Sequence, residues 1–267
     1  MTTTSTLYRV LLTGATGGIG QAMAHALLPH SACLVLVGRK ANELTKLATE
    51  LAHKNPTGAC DIVTVVADLQ QANDVAALVQ TAREKSINVL VNNAGINHFG
   101  SAVSTPAHAQ QEVLAVNLMA PITLTQALLP ALMQQQSAQV VQVGSIFGYI
   151  GYPGNSAYCA SKFGLRGYAQ ALRRELSDTP VQVKYFAPRA TSTAINTDKV
   201  VALNKALGTQ SDSPEYVAAE LIKCLADNRF ERKLGWPERL FVMLNQLVPG
   251  INDKAIAGQL PTIRQYF

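Results

Sequence analysis

One stretch near the N-terminus decides the fold: Thr13-Gly14-Ala15-Thr16-Gly17-Gly18-Ile19-Gly20. It follows the apolar residues 10–12 and opens a helical pattern over residues 21–28. Glycine lets the backbone turn at positive φ and lets a phosphate approach without a Cβ in the way. The start of a helix offers unpaired N–H groups and a partial positive charge to a pyrophosphate. The order strand, glycine turn, helix therefore predicts a nucleotide pocket, although a tight connection without a ligand is the alternative.

Composition and charge indicate one α/β domain of ordinary size. The chain has 267 residues, of which 48% are hydrophobic and 15% charged, which allows a large buried core and argues against general disorder. The net charge of +5 suits an anionic cofactor or substrate. Because Lys and Arg form no dense run, we expect no nucleic-acid partner.

Cysteine spacing and hydropathy bear on the compartment. The four cysteines contain no C-x-x-C pair, so we expect neither a metal site nor a disulfide framework. The polar N-terminus lacks the pattern of a secretory signal, and no run of ~18 apolar residues predicts a membrane span. We therefore expect a cytoplasmic protein with reduced thiols.

Short apolar segments alternate with helical patterns through the first two-thirds of the chain. Strands are predicted at residues 9–12, 33–37, 62–67, 89–91, 140–143 and 181–186, and helices at residues 21–28, 41–53, 73–82, 107–133 and 158–177. The strands are rich in Val, Ile and Leu with little polar alternation, which is typical of a parallel sheet covered on both faces. The pattern predicts a doubly wound α/β sheet with right-handed crossovers.

Two regions interrupt this regular pattern. Pro121 and Pro130 are expected to kink or split the helix at residues 107–133. Residues 190–213 are rich in Thr, Ser and Asn, and either a lid over a site or a plain surface connection would explain them.

The C-terminus is assigned as an extension, residues 231–267, packed on the domain formed by residues 1–230. Residues 231–235 could form a short last strand, and residues 240–248 form a very apolar helical segment. That segment could pack on the core, contact another subunit, or face a hydrophobic substrate or a membrane. We favour packing on the core with a role in covering the site. Membrane contact is disfavoured because the segment lacks a basic polar face.

The end of the second predicted strand indicates which dinucleotide fits the pocket. Such pockets hold a ribose 2′-hydroxyl with an acid at this point, or a 2′-phosphate with an Arg. Here Arg39-Lys40 stands in place of an acid, and a guanidinium can grip a phosphate through two donors. The sequence therefore favours NADP(H) over NAD, with a solvated basic pair as the alternative.

The next two strand ends supply further candidates. Asp68-Leu69 follows the third strand, where Asp68 could bind the adenine amino group or cap the next helix. Asn93, Ala94 and Gly95 follow the fourth strand and could line the cofactor floor, although a turn alone would explain them.

Tyr158-x-x-x-Lys162 is the best candidate for chemistry, because this spacing puts both side chains on one helix face. Tyrosine titrates near pH ~10, and a cation one turn away stabilises the phenolate and lowers that pKa. Such a group can pass a proton to or from an alcohol oxygen. Ser145, just past the fifth strand, can hydrogen-bond the same oxygen. A lone Tyr-Lys pair would be a surface pair, but Ser145 at this position makes that alternative weak.

Together these motifs resemble the short-chain dehydrogenase/reductase family over nearly all of residues 8–230. The resemblance implies a Rossmann fold and reversible hydride transfer between NAD(P) and an alcohol or carbonyl. It implies that Tyr158 is the acid/base, that Ser145 is the oxyanion partner, and that Lys162 lowers the tyrosine pKa and binds the nicotinamide ribose. Asn117 matches the family's fourth catalytic residue and would hold a proton-relaying water. A homodimer or homotetramer is also implied.

The strand ends and the resemblance together give the predicted cofactor-binding residues. They are Thr13, Gly14, Thr16, Gly17, Gly18, Ile19, Gly20, Arg39, Asp68, Leu69, Asn93, Ala94, Gly95, Tyr158, Lys162, Pro188, Thr191 and Thr193. Either threonine could meet the nicotinamide amide. The family usually has Pro-Gly after the sixth strand, whereas this chain has Pro188-Arg189, and Arg189 could contact the pyrophosphate or an acidic substrate group.

The substrate is predicted from the residues that follow Ser145. Residues 146–153, with Ile96 nearby, are apolar and aromatic, which suits a hydrophobic ketone or aldehyde and its alcohol. An acyl chain, a polyketide-like ketone and a sterol-like ring all remain candidates. The competing interpretation is a non-catalytic NADP-binding regulator or scaffold, and the intact set of four catalytic residues argues against it.

Overall fold

The computed structural model describes residues 7–193 and 197–267. Within these residues seven strands form one sheet: β1 (Tyr8–Thr13), β2 (Ser31–Gly38), β3 (Asp61–Val66), β4 (Val89–Asn92), β5 (Ala138–Val143), β6 (Val181–Ala187) and β7 (Glu231–Lys233). The described helices are α1 (Gly18–Leu27), α2 (Ala41–His53), α3 (Ala72–Glu84), α4 (Ala107–Leu114), α5 (Ala120–Leu132), α6 (Ser156–Glu175), α7 (Asp198–Ala206), α8 (Pro214–Ala226), α9 (Trp236–Leu247) and α10 (Pro249–Arg264).

The strand order is β3-β2-β1-β4-β5-β6-β7, and every neighbouring pair is parallel. The chain runs outward from β1 to β3, then returns to the other side of β1 with β4. The point between β1 and β4 is therefore the topological switch, where open α/β sheets bind ligands beyond the carboxyl ends of their strands. The predicted fold class, a single doubly wound α/β domain, is confirmed.

Both faces of the sheet are buried. Leu11 of β1 belongs to one apolar cluster, whereas its neighbours Val10 and Leu12 belong to the cluster on the opposite face. All three are fully buried. Successive side chains of a strand point to opposite faces, so a strand covered on both sides needs apolar residues at every position. This explains why the strands read as continuous apolar runs.

The long helix predicted at residues 107–133 is neither split nor ended by its prolines. It runs through α4, a π-helical turn at Ala115–Met119, and α5. The N–H of Ala120 bonds to the carbonyl of Ala115, and Pro121, which lacks an N–H, follows at once. The irregularity is thus a widened turn that precedes the proline. By length and composition this helix could also cross a membrane, but 39% of its apolar window is buried, and core helices of globular proteins meet the same criterion.

The C-terminal third differs most from the predicted pattern. Residues 190–213 include α7, which the sequence pattern did not show. The predicted last strand is present as β7, the apolar segment is α9, and a further helix, α10, follows it. On α9, Val242 is buried in the main core, whereas Trp236 is 77% and Leu247 72% exposed.

Candidate active site

A cavity of about 1030 Å³ lies at the carboxyl ends of the strands. It gathers most of the residues predicted to bind a cofactor or to act in catalysis: Gly14, Thr16, Gly17, Gly18, Ile19, Gly20, Arg39, Asp68, Leu69, Asn93, Ala94, Gly95, Ser145, Tyr158, Lys162, Pro188, Thr191 and Thr193. The two remaining residues of that set, Thr13 and Asn117, lie behind its wall. The volume is at the upper end for small-molecule sites, enough for a ligand larger than a simple metabolite.

The glycine turn joins β1 to α1 and packs directly on the turn after β4. Gly14 has a φ of +63°, and a Cβ there would lie 2.8 Å from the Cα of Ala94. The Oγ1 atom of Thr13 accepts hydrogen bonds from the backbone N–H groups of Asn93 (3.0 Å) and Ala94 (3.1 Å). Asn93 in turn donates from Nδ2 to the carbonyl oxygen of Thr13 at 3.0 Å. Thr13 therefore contributes by holding the two turns together.

The part of the cavity next to the glycine turn carries a buried hydroxyl without a partner among the described residues. A Cβ on Gly18 would lie 2.8 Å from Cγ2 of Thr193, so this threonine sits against the glycine turn. Its Oγ1 atom is buried and has no hydrogen-bond partner among the residues that the structure describes. Buried hydroxyls in native proteins are normally satisfied by protein, water or ligand. A phosphate oxygen at the start of α1 would satisfy it, so the residues present fit a dinucleotide.

Two cations, Arg39 and Lys40, follow β2, and of the two Arg39 lines the cavity. Arg39 is exposed beside the cavity and makes no hydrogen bond or ion pair with any described residue. Lys40 instead pairs with Glu43, with Nζ and Oε1 2.7 Å apart. Of the two basic residues, Arg39 is thus the one whose guanidinium is available to an added phosphate.

Asp68 does not cap the next helix, which was one of its two predicted roles. Its Oδ1 atom accepts a hydrogen bond from the N–H of Gln70 at 3.0 Å, and the N-cap of α3 is Gln71. The backbone N–H of Asp68 donates to Oδ2 of Asp74 at 2.8 Å, which fixes the turn. Asp68 and Leu69 both line the cavity, and adenine binding by Asp68 stays a prediction.

Ser145, Tyr158 and Lys162 meet at the other end of the cavity. The Oγ atom of Ser145 accepts from the N–H of Phe147 at 3.1 Å, so its own O–H proton is free to point at Tyr158, with which it is hydrogen-bonded. Lys162 donates from Nζ to the carbonyl oxygen of Val143 at 2.9 Å and lies 5.7 Å from the Tyr158 ring centroid.

Burial dominates the pKa values of Tyr158 and Lys162. It raises the pKa of Tyr158 to about 12, which the hydrogen bond from Ser145 only partly offsets. It lowers the pKa of Lys162 to about 8. The sequence-based expectation was the reverse for tyrosine, a pKa lowered by the lysine. Lys162 donates to the carbonyl of Val143, and burial of the phenol itself is the largest cause of the raised tyrosine pKa.

Asn117 is fully buried in the π-helical turn and clamps the segment after β4. Its Oδ1 atom accepts from the N–H of Ile96, and its Nδ2 donates to the carbonyl of Ile96, both at 2.8 Å. Nδ2 also donates to Oγ of Ser161 at 3.3 Å. Both sides of the amide are therefore engaged with protein groups. The predicted water-relay role of Asn117 is neither required nor contradicted by these contacts and stays a prediction.

The guanidinium of Arg189, for which a contact with the pyrophosphate or with an acidic substrate group was expected, is engaged by two carboxylates of the protein. It donates from Nη2 to Oδ1 of Asp212 at 2.8 Å and from Nη1 to Oε1 of Glu238 at 3.1 Å. The three side chains are between 8% and 20% exposed. Arg189 thus joins the end of β6 to the segment before α8 and to the first turn of α9. Thr191 donates from Oγ1 to the carbonyl of Arg189 at 3.0 Å and lines the cavity.

The C-terminal segment lines the cavity, as was expected for the apolar residues 240–248, but the contribution of α10 was not predicted from the sequence. The C-terminal helices supply Pro237, Glu238, Phe241, Asn252, Ala255, Ile256 and Gln259 to the wall. The Tyr152 hydroxyl donates to Oε1 of Gln259 at 3.1 Å, and the rings of Phe147 and Tyr152 stack with centroids 5.1 Å apart. The apolar character of α9 was the one available signal, and α10 gave none. His98 lies near Glu112, at 3.8 Å, as an ordinary loop residue.

Comparison with known proteins places the fold and the site in context. The profile of the family described as short chain dehydrogenase matches residues 8–203. The Dehydrogenase/reductase SDR family member 7B of Bos taurus is 32% identical over 264 residues, covering 94% of this chain and 80% of that protein.

Two solved structures are also similar. A short-chain dehydrogenase/reductase from Burkholderia phymatum in complex with NAD has a TM-score of 0.83 and 21% identity, covering 94% of this chain and 97% of that one. A short-chain dehydrogenase from Sphingobium yanoikuyae in complex with NADPH has a TM-score of 0.77 and 26% identity, covering 92% and 96%. The first establishes likeness of fold, and together they include both nicotinamide dinucleotides.

Proposed function

The chain belongs to the short-chain dehydrogenase/reductase family of oxidoreductases, and we propose that it uses NADPH to reduce a hydrophobic ketone or aldehyde to its alcohol. The observation that carries the proposal is the meeting of Ser145, Tyr158 and Lys162 at one end of a cavity whose other end is the glycine turn. A redox cofactor bound at that turn would therefore share the cavity with Tyr158, whose phenol can transfer a proton.

When bound, the nicotinamide supplies hydride to the carbonyl carbon in the reducing direction. The protein supplies the proton and the polarisation. A pKa of about 12 keeps Tyr158 protonated at neutral pH, which is the form that donates to a carbonyl oxygen. The O–H of Ser145 can bond the same oxygen as negative charge develops on it. Lys162, hydrogen-bonded to the end of β5, holds a cationic group 5.7 Å from the centre of the Tyr158 ring.

The preference for NADPH rests on Arg39. Its guanidinium stands free at the mouth of the adenosine end, while no acid occupies the end of β2. A 2′-phosphate would gain charge-assisted bonds there that a 2′-hydroxyl cannot match. The related structure in complex with NADPH is consistent with this preference, and the one in complex with NAD is the reason to test it directly.

The hydrophobic substrate class rests on the walls near Tyr158. Phe99, Ile146, Phe147, Ile150, Phe241 and Ile256 line this end of the cavity. Two of the polar side chains beside them, Tyr152 and Gln259, are hydrogen-bonded to each other. An apolar body with one carbonyl therefore suits the site better than a sugar or a charged acid.

A screen of NADPH consumption against ketones and aldehydes tests the proposal. The panel should hold aliphatic acyl ketones, polyketide-like ketones and steroid ketones, with hydrophilic aldoses as the contrasting set. We expect wild-type protein to turn over at least one hydrophobic carbonyl, and Tyr158→Phe to do so at least about 100-fold more slowly. NADPH binding without any turnover would instead support a non-catalytic regulator.

We also propose a cytoplasmic location and a homodimer or homotetramer. The oligomer is the expectation that the family carries, and light scattering of the purified chain measures it. Trp236 and Leu247 leave apolar surface exposed on α9, so co-sedimentation with liposomes, with and without residues 236–267, is the matching test for membrane contact.

A further inference from the structure

Tyr185 lies beneath the catalytic residues without lining the cavity. It belongs to β6 and is fully buried. Its hydroxyl accepts a hydrogen bond from the backbone N–H of Ser145 at 3.4 Å and donates one to the backbone carbonyl of Lys162 at 3.1 Å. One phenol oxygen thus connects the loop that carries Ser145 to the helix that carries Tyr158 and Lys162.

The loop around Ser145 is shaped to this phenol. A Cβ on Gly144 would lie 2.1 Å from the Tyr185 hydroxyl oxygen, and a Cβ on Gly148 would lie 2.2 Å from it. Any side chain at either position would displace the ring or the loop. The backbone on both sides of Ser145 therefore rests directly on the hydroxyl of Tyr185.

The ring of Tyr185 is itself fixed by packing against Tyr149. The Tyr149 ring meets it edge to face, with centroids 5.9 Å apart, and the Arg166 guanidinium lies 4.1 Å from the Tyr149 centroid. Arg166 is fixed in turn by Glu231 of β7, with Nε and Oε1 2.8 Å apart. The phenol oxygen thus has a position set by the sheet, and burial raises its pKa, so it stays a donor at neutral pH.

We propose that Tyr185 is a positioning residue that sets the distance between the Ser145 hydroxyl and the Tyr158 phenol. The inference rests on the proposed oxidoreductase function. Tyr158 and Lys162 share one turn of α6, so a contact with the carbonyl of Lys162 fixes where Tyr158 stands. The contact with the N–H of Ser145 fixes the other partner. Small displacements of reacting groups lower rates steeply, so such a tie matters for turnover.

Tyr185→Phe tests this role because it removes only the hydroxyl that makes the two hydrogen bonds. We expect kcat to fall about tenfold, while KM for NADPH stays within about twofold. The pH at which alcohol oxidation reaches half its plateau should rise, because the hydrogen bond from Ser145 normally lowers the pKa of Tyr158. Tyr168→Phe is the matched control, since it removes a phenol hydroxyl from α6 at a position outside the cavity.

Gly148→Ala tests the same connection by a second route, because it should disturb the position of the Tyr185 hydroxyl. The added methyl group should push the Tyr185 hydroxyl away and lower kcat with the same rise in the pH profile. In Gly148→Ala/Tyr185→Phe the nearest remaining contact of that methyl is the Lys162 carbonyl at 3.0 Å. The double variant should therefore be no slower than the slower single variant. If the fold-decreases in kcat of the two single variants multiply in the double variant, the inference is wrong.

The outcomes separate this inference from the proposed function. If Tyr185→Phe keeps the wild-type kcat and pH profile and loses only thermal stability, Tyr185 is structural and the inference is wrong, while the oxidoreductase stands. If wild-type protein turns over no carbonyl or alcohol with either dinucleotide, the proposed function fails and this inference fails with it.

Discussion

The Nζ atom of Lys162 donates a hydrogen bond to the carbonyl oxygen of Val143 at 2.9 Å, and so joins α6 to the end of β5. The side chain is 4% exposed, and burial lowers its pKa to about 8. Tyr158 beside it keeps its proton to a pKa of about 12. Tyr158 therefore stays neutral at neutral pH, whereas a charge on the buried Lys162 costs stability, so the free energy of unfolding depends on pH.

Lys162→Met should reveal this cost as a pH-dependent difference in the free energy of unfolding. Between the folded pKa of about 8 and the ordinary value of 10.5, the unfolded chain binds a proton that the native chain does not. Stability then rises with pH. The stability of wild type minus that of Lys162→Met should increase by about 1–3 kcal/mol from pH 7 to pH 10.

Urea unfolding at several pH values measures this difference. Taking the difference removes the contribution of the buried thiols, whose raised pKa values act in the opposite direction above pH ~9 in both proteins. A difference that stays flat from pH 7 to pH 10 would show that Lys162 is not the source of the shift.

Tyr158→Phe should lower kcat by about 100-fold or more, because the variant keeps the ring and loses the proton that the carbonyl oxygen receives. Affinity for NADPH should change by less than about threefold, since the hydroxyl is one of many contacts along the cavity. Fluorescence titration and initial rates measure the two effects. Wild-type rates in Tyr158→Phe would refute the assignment of the acid.

The fold was predictable from local sequence because burial on both faces leaves a strong pattern. Runs such as residues 33–37 are apolar at every position, and they lie inside the observed β2. Helices without such a run were missed, namely α8, although it buries six residues, and the more exposed α7 and α10. The helix α7 is largely exposed, with Leu203 as its buried residue, and α10 buries only Asn252 and Ile263 along its length. Short amphipathic patterns of this kind carry little signal.

The site was predictable where a residue type is tied to a chemistry, and less so where it depends on distant contacts. Ser145 and Lys162 were placed by motif alone. The salt bridge between Arg189 and Glu238 joins residues far apart in sequence, so spacing could not show it. Tyr185 was read only as part of a strand, because its role depends on the two glycines that the fold brings against it.

Arg39→Ala should weaken binding of NADPH about tenfold or more and that of NADH by less than about twofold, because only NADPH carries the 2′-phosphate. The matched control is Lys40→Ala, which removes the neighbouring cation that is already paired with Glu43. It should affect the two dinucleotides alike and weakly. Isothermal titration with both cofactors gives the ratio. Equal losses for both dinucleotides in Arg39→Ala would argue against a phosphate contact.

Glu238→Ala should loosen α9 from the cavity wall. Arg189 would keep Asp212 at 2.8 Å but lose its contact with Glu238, leaving part of a guanidinium that is 14% exposed without its partner. We expect a loss of about 1–3 kcal/mol in the free energy of unfolding, with a higher KM for the carbonyl substrate because Glu238 and Phe241 line its end of the cavity. Glu215→Ala is the matched control, since Glu215 also lies in a first helical turn directly after a proline, on α8. Both variants lose the same interaction with a helix dipole, so only the excess seen in Glu238→Ala belongs to Arg189. Equal losses in the two variants would show that the Arg189 contact does not hold α9 in place.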